Sequence, residues 1–329
     1  MNLLNAPTWG ISMKMVFTEL KEHVDLIRDA FPDDELIIFD HPLEEEQLID
    51  IARDAEVISV FIYTPVTERV IDSIPSLRLI DTRSVGFDHI ASKHAIEKGI
   101  TVCHVPDYGA HVVAEHVFAL LLASARRIPS ADAFVKNERR FDFSNFLGLE
   151  LRDKTLGVVG TGKIGAAVIE IAKGFGMRVV AYDVYQNKSL AMKYGFPYLP
   201  LEEVLGKSDF VTLHTPLTLD THHLIDATAI SRMKKGSILI NASRGGVLDS
   251  KALRDALTSG HLWGAGIDVL EDEAHPERDL LLDSPNITIT PHSAFYTKEV
   301  LQRISQLTIE TVRSYKAGSP VNRVPSEYL

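Results

Sequence analysis

The sequence predicts an α/β protein built on two doubly wound parallel sheets. Three observations carry that expectation. Short apolar runs alternate with amphipathic stretches along almost the whole chain, the pattern of strands buried between helix layers. Two such alternations follow one another, separated by a strongly apolar segment at 109–128. Within the second, residues 155–183 (TLGVVGTGKIGAAVIEIAKGFGMRVVAYD) read as strand, glycine turn, helix and strand. At 329 residues the chain is long enough for two separate cores.

The first dozen residues show no periodicity and read as an extension outside the fold, with Met13 or Met15 as a candidate natural start. Candidate strands then fall at 15–19, 35–40, 56–62, 78–83 and 101–105, with helices at 20–30, 44–53, 67–74 and 89–98. No glycine fingerprint marks this first alternation. Its connection RSVGFD (83–88) follows a strand, at the carboxyl end where open α/β sheets bind ligands. Residues 109–128 predict a helix, bounded by Pro106 and Pro129, whose apolar surface is wider than one stripe and therefore buried on more than one side. The polar, aromatic arm at 137–151 packs either on a second subunit or on its own domain; sequence does not choose.

The second alternation opens at 155–159, an apolar, β-branched run expected of a strand buried on both faces. Gly160, Gly162 and Gly165 then form G-x-G-x-x-G. The first permits a tight turn, the second lets backbone amides approach a pyrophosphate, and the third lets helix and strand pack closely. The helix N-terminus adds partial positive charge for the phosphates. Asp183 ends the following strand, where a carboxylate can bind a ribose 2′-hydroxyl. Strand, helix, second strand and terminal acid agree, so this stretch reads as a dinucleotide site. The acid favours NAD over NADP, because its charge repels a 2′-phosphate and no arginine follows closely. Further strands at 209–216, 237–246, 261–270 and 286–292 end on His214, Arg244, Asp268 and His292, and four polar strand ends suggest one cleft. A last helix at 298–318 is expected to return to the first domain. The domain reading is therefore 1–108 with 297–329 as the substrate domain and 109–296 as the NAD-binding domain.

Composition narrows the function. A net charge of −11 without a lysine or arginine cluster argues against a nucleic-acid surface. Cys103 is the single cysteine, which excludes an internal disulfide and CxxC metal sites. His222-His223 has no further ligands at useful spacing, so no metal is expected. No apolar stretch approaches a membrane span, and a cytoplasmic enzyme fits best.

Taken in order, RSVGFDHI (83–90), VPDYGAHVVAEH (105–116), GTGKIG (160–165), LHTPLT (213–218), NASRGGVLD (241–249), GIDVLEDE (266–273) and TPHSAFYT (290–297) resemble the D-2-hydroxyacid dehydrogenase family. Arg83, Tyr108 and the AFYT after His292 look most similar to its D-lactate dehydrogenase branch. Ala91, where relatives often carry an acid, is a departure away from the catalytic positions. The resemblance implies a Rossmann cofactor domain inserted into a flavodoxin-like substrate domain. It also implies reversible hydride transfer between NADH and a 2-oxo acid, D-lactate/pyruvate or a close analogue, by a homodimer joined through the cofactor domain.

By the same resemblance Arg244 anchors the substrate carboxylate through its planar fork. His292 is the acid/base, an imidazole whose free pKa near ~6.5 suits proton exchange. Its partner is Glu273; position alone would leave that residue a solvated member of the EDE run 271–273, and the family match selects it over Glu271. Val85 and Gly86 offer backbone amides to the carboxylate, and Arg83, Tyr108 and Tyr296 complete the substrate set. Lys163, Ile164, Ala242 and Ser243 join the glycines and Asp183 around the cofactor. His214, Thr215 and Pro216 shape its ribose wall and Asp268 contacts the nicotinamide carboxamide. A phosphoglycerate- or hydroxypyruvate/glyoxylate-type dehydrogenase, and an NAD-binding corepressor-like module, are the alternatives.

Overall fold

A computed structural model describes residues 12–325; of the opening stretch, 1–11 lie outside them. The chain divides into two compact units, one made of the chain up to Tyr108 together with that from Tyr296 onward, the other of Gly109–Phe295.

The first unit carries strands β1 (Lys14–Phe17), β2 (Glu35–Ile38), β3 (Val57–Val60), β4 (Leu79–Thr82) and β5 (Thr101–His104), all parallel in the order β2-β1-β3-β4-β5. Its helices are α1 (Val24–Ala30), α2 (Glu45–Ile51), α3 (Glu68–Ser73) and α4 (Ser92–Glu97). The three inner strands are buried almost throughout, as a sheet covered on both faces requires, and their alternate residues feed two cores. Met13 and Met15 both belong to one of those cores. The first helix begins later than its periodicity predicts because His23, at φ +61°, breaks the backbone before Val24.

The second unit runs through α5 (Ala110–Arg126), α6 (Ile128–Glu138), β6 (Thr155–Val159), α7 (Lys163–Gly174), β7 (Arg178–Tyr182), α8 (Lys188–Tyr194), α9 (Leu201–Lys207), β8 (Phe210–Leu213), α10 (Ala227–Arg232), β9 (Ile238–Asn241), α11 (Ser250–Thr258), β10 (Gly264–Ile267) and β11 (Ile287–Ile289). Its parallel sheet has the order β11-β10-β9-β8-β6-β7, and a single bridge from Ala181 to Tyr198 stands where a further strand would extend it. The expected pair of doubly wound sheets is present. Helix α5 packs on both α7 and the sheet, which accounts for its wide apolar surface. The arm rests on its own unit at one end only. Gly148 and Leu149 rest on Ala125, whereas Phe141 (99%) and Phe143 (90%) are exposed. The chain ends in α12 (Lys298–Lys316), which packs on α1 and β4 in the first unit. No helix among the described residues is long and apolar enough to cross a membrane.

Between β6 and its neighbours the winding reverses: the chain steps to β7 on one side, then crosses to β8 on the other. Such a switch point leaves a crevice at the carboxyl ends of the two strands. The glycine turn lies there.

Candidate active site

Gly160 adopts φ +93°, and a Cβ on it would lie 2.7 Å from the backbone of His214. A Cβ on Gly165 would overlap the Gly160 carbonyl oxygen. Both glycines are therefore demanded by the protein's own packing. Gly162 is different. It caps α7 in an extended conformation, it is exposed beside Lys163, and a Cβ there would meet nothing within 4 Å. Free space over the first turn of a helix is what an approaching pyrophosphate needs.

Asp183 closes the turn from the far side. Its Oδ2 accepts from the Thr161 amide (2.6 Å) and hydroxyl (2.9 Å), and its Oδ1 from the Tyr185 amide (2.9 Å). A carboxylate has about four acceptor positions, so capacity for a ribose hydroxyl remains. Across the crevice the His214 amide donates to the Val159 carbonyl (2.7 Å), and its Nε2 meets the Thr212 hydroxyl (2.9 Å). Burial pushes the His214 pKa down to about 3, so the ring is neutral. Its Nδ1 and the Thr215 hydroxyl are buried without a partner. Unsatisfied buried groups of this kind are costly and mark a place where a polar ligand completes the site. These residues fit a dinucleotide.

His292 follows β11 in the left-handed region, φ +49°. Asp268, 1% exposed at the end of β10, fixes this turn. Its carbonyl accepts from the His292 amide (2.8 Å), and its carboxylate accepts from Thr290 (2.5 Å) and from the amides of Ser293 and Ala294 (both 2.9 Å). His116 of α5 reaches the Thr290 hydroxyl at 3.0 Å. Burial raises the Asp268 pKa, yet the bonds from His116, Thr290 and the two amides outweigh it and hold the group below the usual carboxylate range. The Asp268 side chain, expected to touch the nicotinamide, holds the His292 loop. The ring of His292 bonds through Nδ1 to Glu273 Oε2 at 2.8 Å, both side chains about one quarter exposed. No other described group bonds to the ring, which leaves Nε2 for an incoming ligand. Glu271 points elsewhere, to His223.

Arg244 lies past β9, in a turn made by Asn241. The Asn241 Oδ1 accepts from the Ser243 amide (3.0 Å) and hydroxyl (2.8 Å), and its Nδ2 donates to the Arg244 carbonyl (3.0 Å). Ala242 is thereby buried, while Ser243 and Arg244 stay partly open. The Arg244 guanidinium donates to the Ser243 carbonyl at 2.8 Å. A Cβ on Gly245 would overlap the Leu270 carbonyl, so the Arg244 turn lies directly on the segment that leads to Glu273.

In the first unit the turn 84–86 is fixed by Ser84 Oγ donating to the Gly86 carbonyl (2.6 Å) and by His104 Nδ1 on the Val85 carbonyl (2.9 Å). Among the described residues the Val85 and Gly86 amides have no acceptor. Arg83 is a correction. It is 2% exposed, with its guanidinium donating to the Ser59 carbonyl (3.0 Å) and to the Thr18 carbonyl. Burial draws its pKa down to about 10 against the pull of Asp81. Its donors tie β1 to β3 beneath the turn and are not presented to a substrate. Tyr108 is half-buried and accepts at its carbonyl from Arg303 (2.7 Å); Tyr296, half-exposed, donates to Glu22 Oε1 (2.7 Å).

A family model described as the NAD binding domain of D-isomer specific 2-hydroxyacid dehydrogenases matches residues 118–294. The chain belongs to that family. Among its relatives is a glyoxylate reductase of Korarchaeum cryptofilum, 37% identical over 95% of this chain and 93% of the relative. A D-3-phosphoglycerate dehydrogenase of Methanocaldococcus jannaschii is 39% identical over 86% of this chain, but the match spans 54% of that longer protein. A crystal structure of D-lactate dehydrogenase from Aquifex aeolicus, complexed with NAD and lactic acid, superposes with a TM-score of 0.84 at 38% identity, covering 93% and 96% of the two chains. This D-2-hydroxyacid dehydrogenase is thus an NAD-dependent oxidoreductase acting on the CH–OH group of 2-hydroxy acids. Sequence reasoning missed Asn241, Thr290 and His116. Asn241 had a signal, as a polar residue ending a buried strand; the other two had none, being joined to the site only in three dimensions.

Proposed function

We propose that this enzyme reduces a small, unphosphorylated 2-oxo acid with NADH, glyoxylate to glycolate or pyruvate to D-lactate. The observation that carries the chemistry is the His292–Glu273 bond at 2.8 Å on a loop packed against the Arg244 turn. When bound, NADH would supply the hydride that reduces the carbonyl carbon. Arg244 holds the substrate carboxylate with a bidentate fork and so orients the carbonyl. His292 Nε2–H gives its proton to the forming alkoxide oxygen, and Glu273 stabilises the imidazolium that donates it. Asp183 accepts from the adenosine ribose and selects NADH. Substrate size is argued from Tyr296, whose hydroxyl is bonded to Glu22: a carboxylate there works against a phosphorylated substrate. The D-lactate dehydrogenase structure and the glyoxylate reductase relative agree with a small substrate.

The exposed Phe141, Phe143 and Leu147 form an apolar arm that favours a homodimer through the cofactor unit. A cytoplasmic setting accords with the lone buried Cys103. The reading is tested with glyoxylate, pyruvate, hydroxypyruvate and 3-phosphohydroxypyruvate, each with NADH and NADPH. Highest kcat/KM for glyoxylate or pyruvate with NADH is expected; a preference for the phosphorylated acid overturns the substrate assignment.

A further inference from the structure

His223 and Glu271 belong to neither the acid/base pair nor the cofactor cradle, yet both sit against the Arg244 turn. His223 is in the left-handed region at φ +50°, which a histidine adopts at a cost unless its surroundings fix it. Its amide donates to the Gly246 carbonyl at 2.8 Å, and its Nε2 meets Glu271 Oε2 at 2.9 Å. The other Glu271 oxygen accepts from the Ser250 amide (2.9 Å), the first residue of α11, just beyond the Arg244 turn. Burial raises the Glu271 pKa, but the bonds from His223 and Ser250 prevail and keep it ionised. The turn is gripped on both sides: Gly245 has no room for a Cβ against Leu270 and Glu271, and a Cβ on Gly246 would press on Leu217 at 3.1 Å. His222 stacks on His223 at 4.1 Å and closes the outer wall.

We infer that His223 and Glu271 are positioning residues that clamp the Arg244–Gly246 turn and thereby set the aim of the Arg244 fork on the substrate carboxylate. One wall of the turn comes from the segment after β8 and the other from the segment after β10, and the His223–Glu271 bond is a direct tie between them. Without it the walls can part, and the glycine pair has no side chain to hold its shape. The Asp268–Thr290 bonds that fix His292 are separate and stay intact. The effect therefore falls on carboxylate binding, not on proton transfer or NADH affinity. This inference rests on the reading that Arg244 holds the 2-oxo acid.

The experiment compares Glu271→Ala, His223→Ala and His223→Gln with wild type, each also on an Arg244→Lys background. Loss of a charge-assisted bond should raise the KM for glyoxylate or pyruvate roughly tenfold in both alanine variants. kcat and the NADH Kd should remain near wild type. Glutamine can reach Glu271 from position 223 and should restore the KM. On the Arg244→Lys background neither alanine should add to the KM, because the arginine through which the clamp acts is already gone. An unchanged KM, or full additivity with Arg244→Lys, overturns the clamp. If wild type turns over none of the 2-oxo acids, the functional reading fails on its own. The clamp is then judged by hydrogen exchange at the amides of His223, Val247 and Ser250. Faster exchange in His223→Ala and Glu271→Ala, reversed in His223→Gln, supports it, and unchanged exchange refutes it. Should Glu271→Ala not fold, Glu271→Gln, which keeps an acceptor for Ser250, takes its place under the same criteria.

Discussion

The three glycines of the cofactor turn give a prediction that separates binding from folding. A methyl group at Gly162 enters open space, and the backbone there (φ −62°, ψ −163°) suits alanine. Gly162→Ala should therefore leave the melting temperature almost unchanged, with a gain of about 0.4–1 kcal/mol from the unfolded chain offsetting a small loss at the N-cap. The same methyl stands where the pyrophosphate must approach the backbone. Losing one hydrogen bond to a charged group costs about 1.5–3 kcal/mol, which is ~10–150-fold in the NADH Kd. Gly165→Ala should behave in the opposite way. Its Cβ overlaps the Gly160 carbonyl oxygen, a backbone atom that cannot swing aside. Overpacking of that kind costs ~1–3 kcal/mol, about 2–12 °C for a unit of this size. Gly160→Ala adds the strain of φ +93° to a clash with His214 and should be worse still. Thermal melts of the NAD-free proteins and fluorescence titration with NADH measure both effects. Wild-type NADH affinity in Gly162→Ala, or a melting loss there equal to that of Gly165→Ala, refutes the reasoning.

Four further outcomes are expected. His292→Ala should lower the reduction rate by roughly 10²–10⁴-fold with NADH affinity intact. Glu273→Gln should lose less, and more in reduction than in oxidation, because a neighbouring carboxylate favours the charged ring; equal losses in both directions would contradict the role given to Glu273. Asp183→Ala should narrow the preference for NADH over NADPH by weakening NADH, and equal kcat/KM for the two cofactors in wild type would rule the assignment out. His214 supplies a pH dependence. Its ring takes up a proton below ~6.5 when unfolded but only near 3 when folded, so its contribution to stability is complete above ~6.5 and is lost as pH falls toward 3. The difference corresponds to at most on the order of 5 kcal/mol. His214→Gln should flatten the fall in melting temperature between pH 7 and 4, whereas an unaltered slope would mean that other groups govern acid unfolding.

Legibility in the sequence followed the range of the interactions. The strands were readable because a sheet covered on both faces demands apolar runs; four strands of the first unit fall inside the expected segments, and β1 starts one residue earlier, at Lys14. The cofactor turn was readable because its glycines answer to local geometry, a positive φ at Gly160 and helix–strand contact at Gly165. The reach of α1 was not, since nothing in Lys21-Glu22-His23 announces a left-handed residue.

The site shows the same division more sharply. Polar residues at four strand ends suggested one cleft, but a strand end says nothing of which way a side chain turns. Asp268 and Arg83 both end strands, and both turn inward. Asp268 serves four donors of the His292 loop, while Arg83 serves the carbonyls of Thr18 and Ser59. Each supports a functional turn from beneath, a role that composition cannot distinguish from contact with a ligand. The EDE run makes the point within three residues. Glu271 and Glu273 are chemically alike and two positions apart, yet one bonds to a histidine 48 residues earlier and the other to a histidine 19 residues later. The partner, not the acid, sets the two apart: His223 lies against the turn that carries Arg244, whereas His292 sits on the loop after β11 with its Nε2 unbonded among the described residues. An acid's function here is a property of the loop it faces, which only the folded sheet brings within 3 Å.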